Sequence, residues 1–243
     1  MARTPSRKPA KKSPQSSGAA SGGATPSGDR DKIIAGFLAL LAEKRIEQIG
    51  FAEIAETAGV SLAQLRGEFG SNLAMLAAHL KAVDRAVLGE DFSDMAEEPP
   101  RERLFDVLMR RLEILAPHRA AVGSLLRSAG RNPPLALALN RLAVQSQQWM
   151  LTAADIGAAG PRGMVRAQGL ALLFATVLRT WVNDDDPGLA RTMAALDRAL
   201  ARGQRAVGLL DDLCQVPSRI CRMRSRWRRR QRPGDTEEST AAI

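Results

Sequence analysis

Side chains able to do acid–base, nucleophilic or metal chemistry are sparse in this sequence of 243 residues. Its histidines, His79 and His118, lie far apart, and neither has a neighbouring metal-ligand pattern. Its cysteines, Cys214 and Cys221, have six residues between them in a basic segment, which fits neither zinc ligands nor a disulfide framework. The aspartates at 184–186 precede a proline and fit a loop with a helix N-cap better than a carboxylate site. The residues therefore predict a binding protein, not an enzyme, with no cofactor or metal.

The side chains that could bind anions are arginines and lysines, and they are concentrated at the two ends of the chain. The formal net charge is +9, and residues 1–28 and 214–243 each contribute +5. The residues between them, 29–213, carry a net charge of −1. Eight arginines lie within 219–232. This segment predicts contact with nucleic acid or with an anionic membrane surface, and a solvated tail is the alternative.

Composition and apolar spacing divide the chain into four parts. Residues 1–28 are rich in Ser, Gly, Pro and Lys without apolar periodicity, which predicts a disordered basic tail. Residues 29–88 form a first domain, and residues 97–210 form a second domain after a Glu-Glu-Pro-Pro boundary. Residues 211–243 form an Arg-rich tail. Apolar residues recur at three- and four-residue intervals through both domains, which predicts an all-α fold of about nine helices and no sheet.

The bulk composition is that of a globular helical protein. Hydrophobic residues make up 45% and charged residues 25%, whereas aromatic residues are only 4% and tyrosine is absent. That balance supports an apolar core and favours helices over strands. The uncharged apolar run from Ala167 to Leu178 is far shorter than the roughly 20 residues that a transmembrane helix needs. With no signal-peptide pattern, the sequence predicts a cytoplasmic protein.

The segment 51–70 has the residue types that a helix-turn-helix requires. Such a motif packs two short helices across a turn of three or four residues. Ala55 allows the two helices to approach closely, and Gly59 supplies a left-handed backbone position for the turn. Ser61 is a natural N-cap for the second helix. The spacing predicts a helix-turn-helix, and an ordinary helical hairpin is the alternative.

This arrangement resembles the head of the TetR family of bacterial transcriptional regulators. The shared residues, in order, are Ile54-Ala55, Ala58-Gly59-Val60-Ser61, Leu65, Phe69, Gly70-Ser71, Leu73 and Leu76. The resemblance implies a three-helix DNA-binding head, a helical effector-binding and dimerisation domain, and a repressor that responds to a small apolar or amphipathic effector. It also implies contacts to double-stranded DNA from Ser61, Leu62, Ala63, Gln64, Arg66, Gly67, Ser71 and Asn72.

Four positions depart from the residues usual in the family. The family has a small polar residue at Gln64, a tyrosine at Arg66, often a histidine at Glu68 and a lysine at Asn72, and its tyrosine and lysine contact phosphates. The predicted head, 29–88, has seven basic and eight acidic residues. Two interpretations remain open. The head reads DNA while the basic tails attract phosphates, or it keeps the fold without binding DNA, as do lipid-binding accessory proteins of ubiquinone biosynthesis.

The second domain resembles the family in length and helical class. Residues 164–182 are apolar on nearly every face, so this helix must be buried all round, either by its own core or also by a second copy. The resemblance implies a homodimer whose interface includes Leu170, Phe174, Trp181, Met193, Leu196 and Leu200. It implies an effector pocket whose apolar candidates are Phe105, Met109, Leu112, Trp149 and Met150.

Overall fold

The computed structural model describes residues 26–92 and 95–205. All regular structure in these two ranges is helical, which confirms the predicted all-α fold, and the number of helices agrees with the expected nine. Two short 3₁₀ turns, Ile46–Gln48 and Ala116–His118, accompany the α-helices. The helices are α1 Pro26–Glu43, α2 Phe51–Ala58, α3 Leu62–Glu68, α4 Asn72–Leu88, α5 Pro100–Leu115, α6 Arg119–Ala129, α7 Pro133–Ala153, α8 Gly160–Val182 and α9 190–205.

Helix α1 begins at Pro26, inside the segment that composition predicts to be disordered. Proline suits the first turn of a helix because its φ is already helical and its missing N–H would be unpaired there. Asp29 lies in the same turn, where a carboxylate complements the positive end of the helix dipole. The rest of the predicted N-terminal tail, and all of the predicted Arg-rich tail, lie outside the described residues.

The first three helices and the start of α4 enclose one apolar core. Ile33, Phe37 and Leu41 recur at four-residue intervals on α1 and are almost fully buried there. Gly36 lies where α1 meets α2, and a Cβ at that position would lie 3.1 Å from the backbone nitrogen of Ala58. The close approach of these helices therefore depends on Gly36 as well as on the buried Ala55 that the sequence predicts.

Helices α5 and α7–α9, with the second half of α4, enclose a second core. One buried cluster contains Val83 of α4, Leu108 of α5, Phe174 of α8 and Leu196 of α9. Helix α6 joins the two cores, because its Ala121 is buried in the head cluster. No helix in the two described ranges is long and apolar enough to cross a membrane.

The acidic run before α9 holds the start of that helix. Asp186 accepts hydrogen bonds from the backbone N–H groups of Gly188 and Ala190, at 3.2 and 3.0 Å. Asp184 accepts from the backbone N–H and the hydroxyl of Thr192, at 2.8 and 2.6 Å. The hydrogen bond from the Thr192 hydroxyl lowers the pKa of Asp184. These carboxylates therefore bind N–H groups of the loop and of the first turn of α9, as expected for a loop with a helix N-cap.

Replacing Gly59 tests the left-handed turn between α2 and α3. Its φ is +65°, so Gly59→Ala should lower the free energy of unfolding by about 1–2 kcal/mol. Gly67 is the matched control, because it lies inside α3 with open space where a Cβ would be. Gly67→Ala should raise that free energy by about 0.5–1 kcal/mol. Urea unfolding of both variants measures this, and equal effects of the two changes would contradict the assigned turn.

Candidate DNA-binding surface and ligand cavity

Helices α2 and α3 form a helix-turn-helix around Gly59. Gly59 ends α2 in the left-handed region, and the N–H of Val60 donates to the carbonyl of Ala55 at 3.0 Å. Leu65 and Phe69 are buried, and they hold α3 against the rest of the head. Of the residues predicted to contact DNA, all but Asn72 are exposed, and they lie on α3 or at the turn before α4.

The side chain of Gln64, which is predicted to contact DNA, is hydrogen-bonded within the head. Its amide oxygen accepts hydrogen bonds from the backbone N–H and the hydroxyl of Ser61, both at 2.8 Å. In return, Ser61 Oγ accepts from the backbone N–H of Gln64 at 3.2 Å, which completes a capping box. The amide nitrogen of Gln64 donates to Asp29 of α1 at 3.0 Å. To contact a base, Gln64 must therefore exchange these internal hydrogen bonds.

Glu68, whose negative charge would be repelled by the phosphates of a duplex, has a cationic partner. Arg30 of α1 lies 3.2 Å from its carboxylate and also stacks over the Phe69 ring, 4.5 Å from the ring centroid. The first turn of α1 thus contacts α3 through both Asp29 and Arg30. The negative charge of Glu68 is partly neutralised, although this exposed pair is worth little stability.

Asn72 is half-buried and has a structural role. Its amide nitrogen donates to the carbonyl of Ile49 at 3.0 Å and approaches that of Ile46 at 3.4 Å. It thereby ties the start of α4 to the segment between α1 and α2. Ser71 caps the same helix, accepting a hydrogen bond from the N–H of Ala74 at 3.1 Å. The position where the TetR family has a phosphate-binding lysine is therefore used here to hold the head together.

The side chains left free for a partner lie on the outer face of α3. Leu62 is 56% exposed, Ala63 and Gly67 are exposed small residues, and Arg66 is an exposed cation. Arg66 makes no ion pair within the described part of the chain. Guanidinium groups form the commonest specific contact to guanine and also bind phosphate. Arg66 is therefore the side chain of α3 best placed to contact nucleic acid.

A cavity of about 290 Å³ lies between the head and the second domain. Its walls come from α1, α4, α5, α6, α7 and α8, and they are mainly aliphatic. Leu38 and Leu41 of α1 and Leu76 of α4 belong to the head core and also line this cavity. A molecule bound here would therefore touch the helices that carry the helix-turn-helix.

None of the five residues predicted for the effector pocket lines this cavity. Leu112 and Met150 are completely buried in the second core, Phe105 and Met109 pack against that core, and Trp149 is 53% exposed. An apolar residue gives the same sequence signal in a core and in a pocket wall. On α7 the cavity is lined by residues such as Ala143 and Gln147, which lie seven and three residues before Met150 and so on the same side of the helix.

Polar groups line one part of the cavity. Arg111 forms a buried ion pair with Asp84, which also accepts a hydrogen bond from the Ser146 hydroxyl at 2.6 Å. His79 and His118 meet edge to face, with ring centroids 4.9 Å apart. Burial, and less strongly His118 and Arg111, lowers the pKa of His79 to about 4. The fold thus brings together two histidines that nothing in the sequence pattern connects.

The residues predicted for the dimer interface lie mostly inside the chain's own core. Leu170, Phe174 and Trp181 of α8, with Leu196 and Leu200 of α9, are at most 5% exposed, and only Met193 is exposed. Three other apolar side chains of α8 face outward. Met164, Val165 and Leu172 are each more than half exposed. Burial of α8 thus comes mainly from this chain, and an outward apolar stripe remains.

Solved structures with this fold are TetR-family regulators. A TetR transcriptional regulator from Rhodococcus sp. RHA1 aligns with a TM-score of 0.53 and 21% identity, over 73% of this chain and 96% of that one. One from Nitrosomonas europaea aligns with a TM-score of 0.55 and 18% identity, over 72% and 97%. One from Streptomyces coelicolor aligns with a TM-score of 0.50 and 17% identity, over 80% and 88%.

These neighbours define the class of the fold. The protein has the fold of TetR-family transcriptional regulators, as its helix-turn-helix residues predict. At 17–21% identity the likeness shows the fold alone. No protein-family model matches the sequence, and no curated protein matches it.

The low pKa of His79 predicts an acid-sensitive stability. In the unfolded chain this imidazole binds a proton below pH 6.5, whereas in the folded protein it stays neutral down to about pH 4. Acidification from pH 7 to 5 therefore favours unfolding, by roughly 2 kcal/mol from this group. His79→Gln removes the titration, so the stability of the variant should fall less over that interval. Urea unfolding at both pH values measures the difference, and parallel losses in both proteins would contradict it.

Proposed function

We propose that this protein is a cytoplasmic DNA-binding transcriptional repressor that acts as a homodimer and releases DNA when a small apolar or amphipathic ligand fills the cavity. The observation that carries the proposal is the helix-turn-helix with an exposed α3, joined through α1 to a cavity beneath it. A helix presented in this way fits the major groove of duplex DNA. The solved structures that share the fold are described as transcriptional regulators.

In this proposal α3 enters the major groove with Arg66 as its main polar contact. The small residues Ala63 and Gly67 let the helix backbone come close to the bases, and Leu62 offers an apolar contact to a thymine methyl group. The N-terminus of α4, capped by Ser71, points backbone N–H groups outward, and such N–H groups bind phosphate. Gln64 contributes to base contacts only if Asp29 releases it.

The basic N-terminal segment would supply the phosphate attraction that the head lacks. Residues 1–28 carry +5, and they join the folded chain at the start of α1. That start lies beside α3, because Asp29 and Arg30 contact Gln64 and Glu68. A basic segment attached at this point can reach the grooves that flank the recognition helix. The Arg-rich segment 219–232 would add further phosphate attraction or bind an anionic membrane.

A second copy would cover the outward apolar stripe of α8. Val165 and Leu172 of this stripe lie seven residues apart on one exposed face, which continues to the polar Thr176 four residues further on, and Leu172 also borders the cavity. Contiguous exposed apolar residues mark interaction surfaces. Pairing through α8 and α9 would place two helix-turn-helix units side by side for two half-sites on DNA.

A second candidate function is a lipid- or small-molecule-binding module that keeps this fold without binding DNA. The observation that favours it is the internal engagement of the head's polar residues. Gln64 and Glu68 bind α1, and Asn72 binds the backbone of the preceding segment. The cavity would then be the functional site by itself, and the Arg-rich tail would hold the protein at an anionic membrane.

Arg66→Ala tests whether α3 contacts the bases of DNA. Duplexes selected from a random pool by the wild-type protein should bind this variant roughly 10- to 100-fold more weakly, since one base contact is worth about 1–3 kcal/mol. Arg85→Ala is the matched control, because it removes the same charge from an exposed position near the far end of α4. Fluorescence anisotropy across a range of salt concentrations measures both variants.

The same binding assay separates the two candidate functions. If binding survives Arg66→Ala but disappears when residues 219–232 are removed, the tail is the DNA contact and the head does not read DNA. If the wild-type protein selects no duplex and instead binds anionic vesicles through that tail, the second candidate function holds. A steep loss of affinity with salt, retained by Arg85→Ala, supports the repressor.

Val165→Glu tests the dimer. A charge in the middle of a buried apolar interface is strongly unfavourable, so the variant should be a monomer at concentrations where the wild-type protein is a dimer. Phe51→Glu is the matched control, because Phe51 is 46% exposed at the start of α2 in the head. Sedimentation velocity gives the mass of each. A wild-type monomer, or a dimer that Val165→Glu leaves intact, would contradict the proposed interface.

A further inference from the structure

Three side chains that line the cavity each have a buried polar atom without a hydrogen-bond partner in the part of the chain that the structure describes. These atoms are Nε2 of His79, Oε1 of Gln147 and Nε of Arg111. His79 is only 8% exposed and Gln147 only 2%. Buried polar groups are nearly always hydrogen-bonded, and one left without a partner costs about 1–3 kcal/mol. Three such atoms at one cavity point to a polar group of a bound molecule.

Two polar groups next to these atoms are already paired. Asn140 and Gln168 exchange two amide hydrogen bonds, each at 3.0 Å. Asp84 accepts from both Arg111 and Ser146. The buried lining atoms without a partner are therefore those of His79, Gln147 and Arg111, and His118 adds a second imidazole at the same cavity.

The charges around the cavity favour an uncharged ligand. Arg111 is neutralised by Asp84, and the low pKa of His79 keeps its imidazole neutral at physiological pH. Arg179, the other cation of the lining, is exposed to solvent. An anion would thus find no unpaired buried charge, and a cation would meet no free carboxylate among the described lining residues.

A hydroxyl group suits this set of atoms best. Arg111 Nε can only donate, the Gln147 amide presents an acceptor or a donor depending on its rotation, and neutral His79 presents either. A hydroxyl donates one hydrogen bond and accepts two, so it can donate to Gln147 Oε1 and accept from Arg111 Nε and from the Nε2–H tautomer of His79. An ether or a ketone only accepts and would leave Gln147 Oε1 unpaired.

We propose that the cavity binds an uncharged, mostly apolar phenol or alcohol of about a dozen non-hydrogen atoms, since an apolar cavity near 150 Å³ accommodates one benzene. Its hydroxyl lies between His79 and Gln147, and its apolar part lies against the aliphatic walls. Leu38 and Leu41 of α1 form part of those walls. The role of this molecule as an effector rests on the proposed function. Its binding to the cavity does not.

Three matched probes test the site in the full-length protein without DNA. Para-butylphenol carries the hydroxyl, para-butyltoluene has the same shape with a methyl group instead, and para-butylbenzoate carries a negative charge. Isothermal titration calorimetry should show the phenol binding at least ~10-fold more tightly than either of the others. Equal affinity for the phenol and the toluene, tighter binding of the benzoate, or binding of none of them overturns the proposal.

Gln147→Met keeps the length of the side chain and removes its polar atoms. The variant should fold at least as stably as the wild type, because it loses an unpaired buried group, and its preference for the phenol over the toluene should fall below ~3-fold. Gln145→Met is the matched control on the exposed face of the same helix and should keep the full preference. An unchanged preference in Gln147→Met overturns the proposed hydroxyl contact.

A separate measurement tests whether the phenol, once bound, also releases the protein from DNA. Para-butylphenol is added to the complex of the wild-type protein with its selected duplex. Binding of the phenol without loss of DNA affinity leaves the ligand site standing and contradicts the effector-responsive repressor. Release of DNA by the phenol, but not by para-butyltoluene at the same concentration, supports both.

Discussion

The packing of α1 against α6 and α4 is the contact on which the rest of the structure depends. Helix α1 supplies Ile33 and Phe37 to the core of the head, while Leu38 and Leu41 also line the cavity. The Ser124 hydroxyl of α6 donates to the carbonyl of Lys44 at 2.7 Å and fixes the end of α1. A change in the width of the cavity at its α1 wall would therefore displace the helix that supports α3, because packed interiors transmit displacement.

The same helix controls which side chains of the head are free. Its first turn holds Gln64 through Asp29 and Glu68 through Arg30, so a shift of α1 would change what α3 presents to a partner.

The positive charge of the chain lies outside the head. The predicted head is almost neutral, and the excess positive charge lies in the segment before it and in the segment that follows the second domain. In the proposed function, shape recognition and phosphate attraction belong to separate parts of the chain, so affinity for DNA would depend strongly on salt.

Much of the fold follows from local sequence signals, whereas the roles of the site residues depend on distant contacts. The turn at Gly59 and the N-cap at Ser61 are set by their own backbone requirements, so both could be predicted. The partner of Gln64 is 35 residues away, at Asp29, and nothing in the spacing reveals it. The same holds for His79 and His118, which meet only because α4 packs beside the 3₁₀ turn before α6. Apolar residues such as Met150 carry the same signal in a core as in a pocket wall.

The proposed repressor requires that the helix-turn-helix reads DNA sequence in the cell. Genome-wide occupancy of the intact protein, measured with and without Arg66→Ala, tests this requirement. We expect a small number of discrete sites that share a two-fold symmetric motif, all of them lost in the variant. A flat profile for the intact protein, or sites that persist unchanged in the variant, would contradict it.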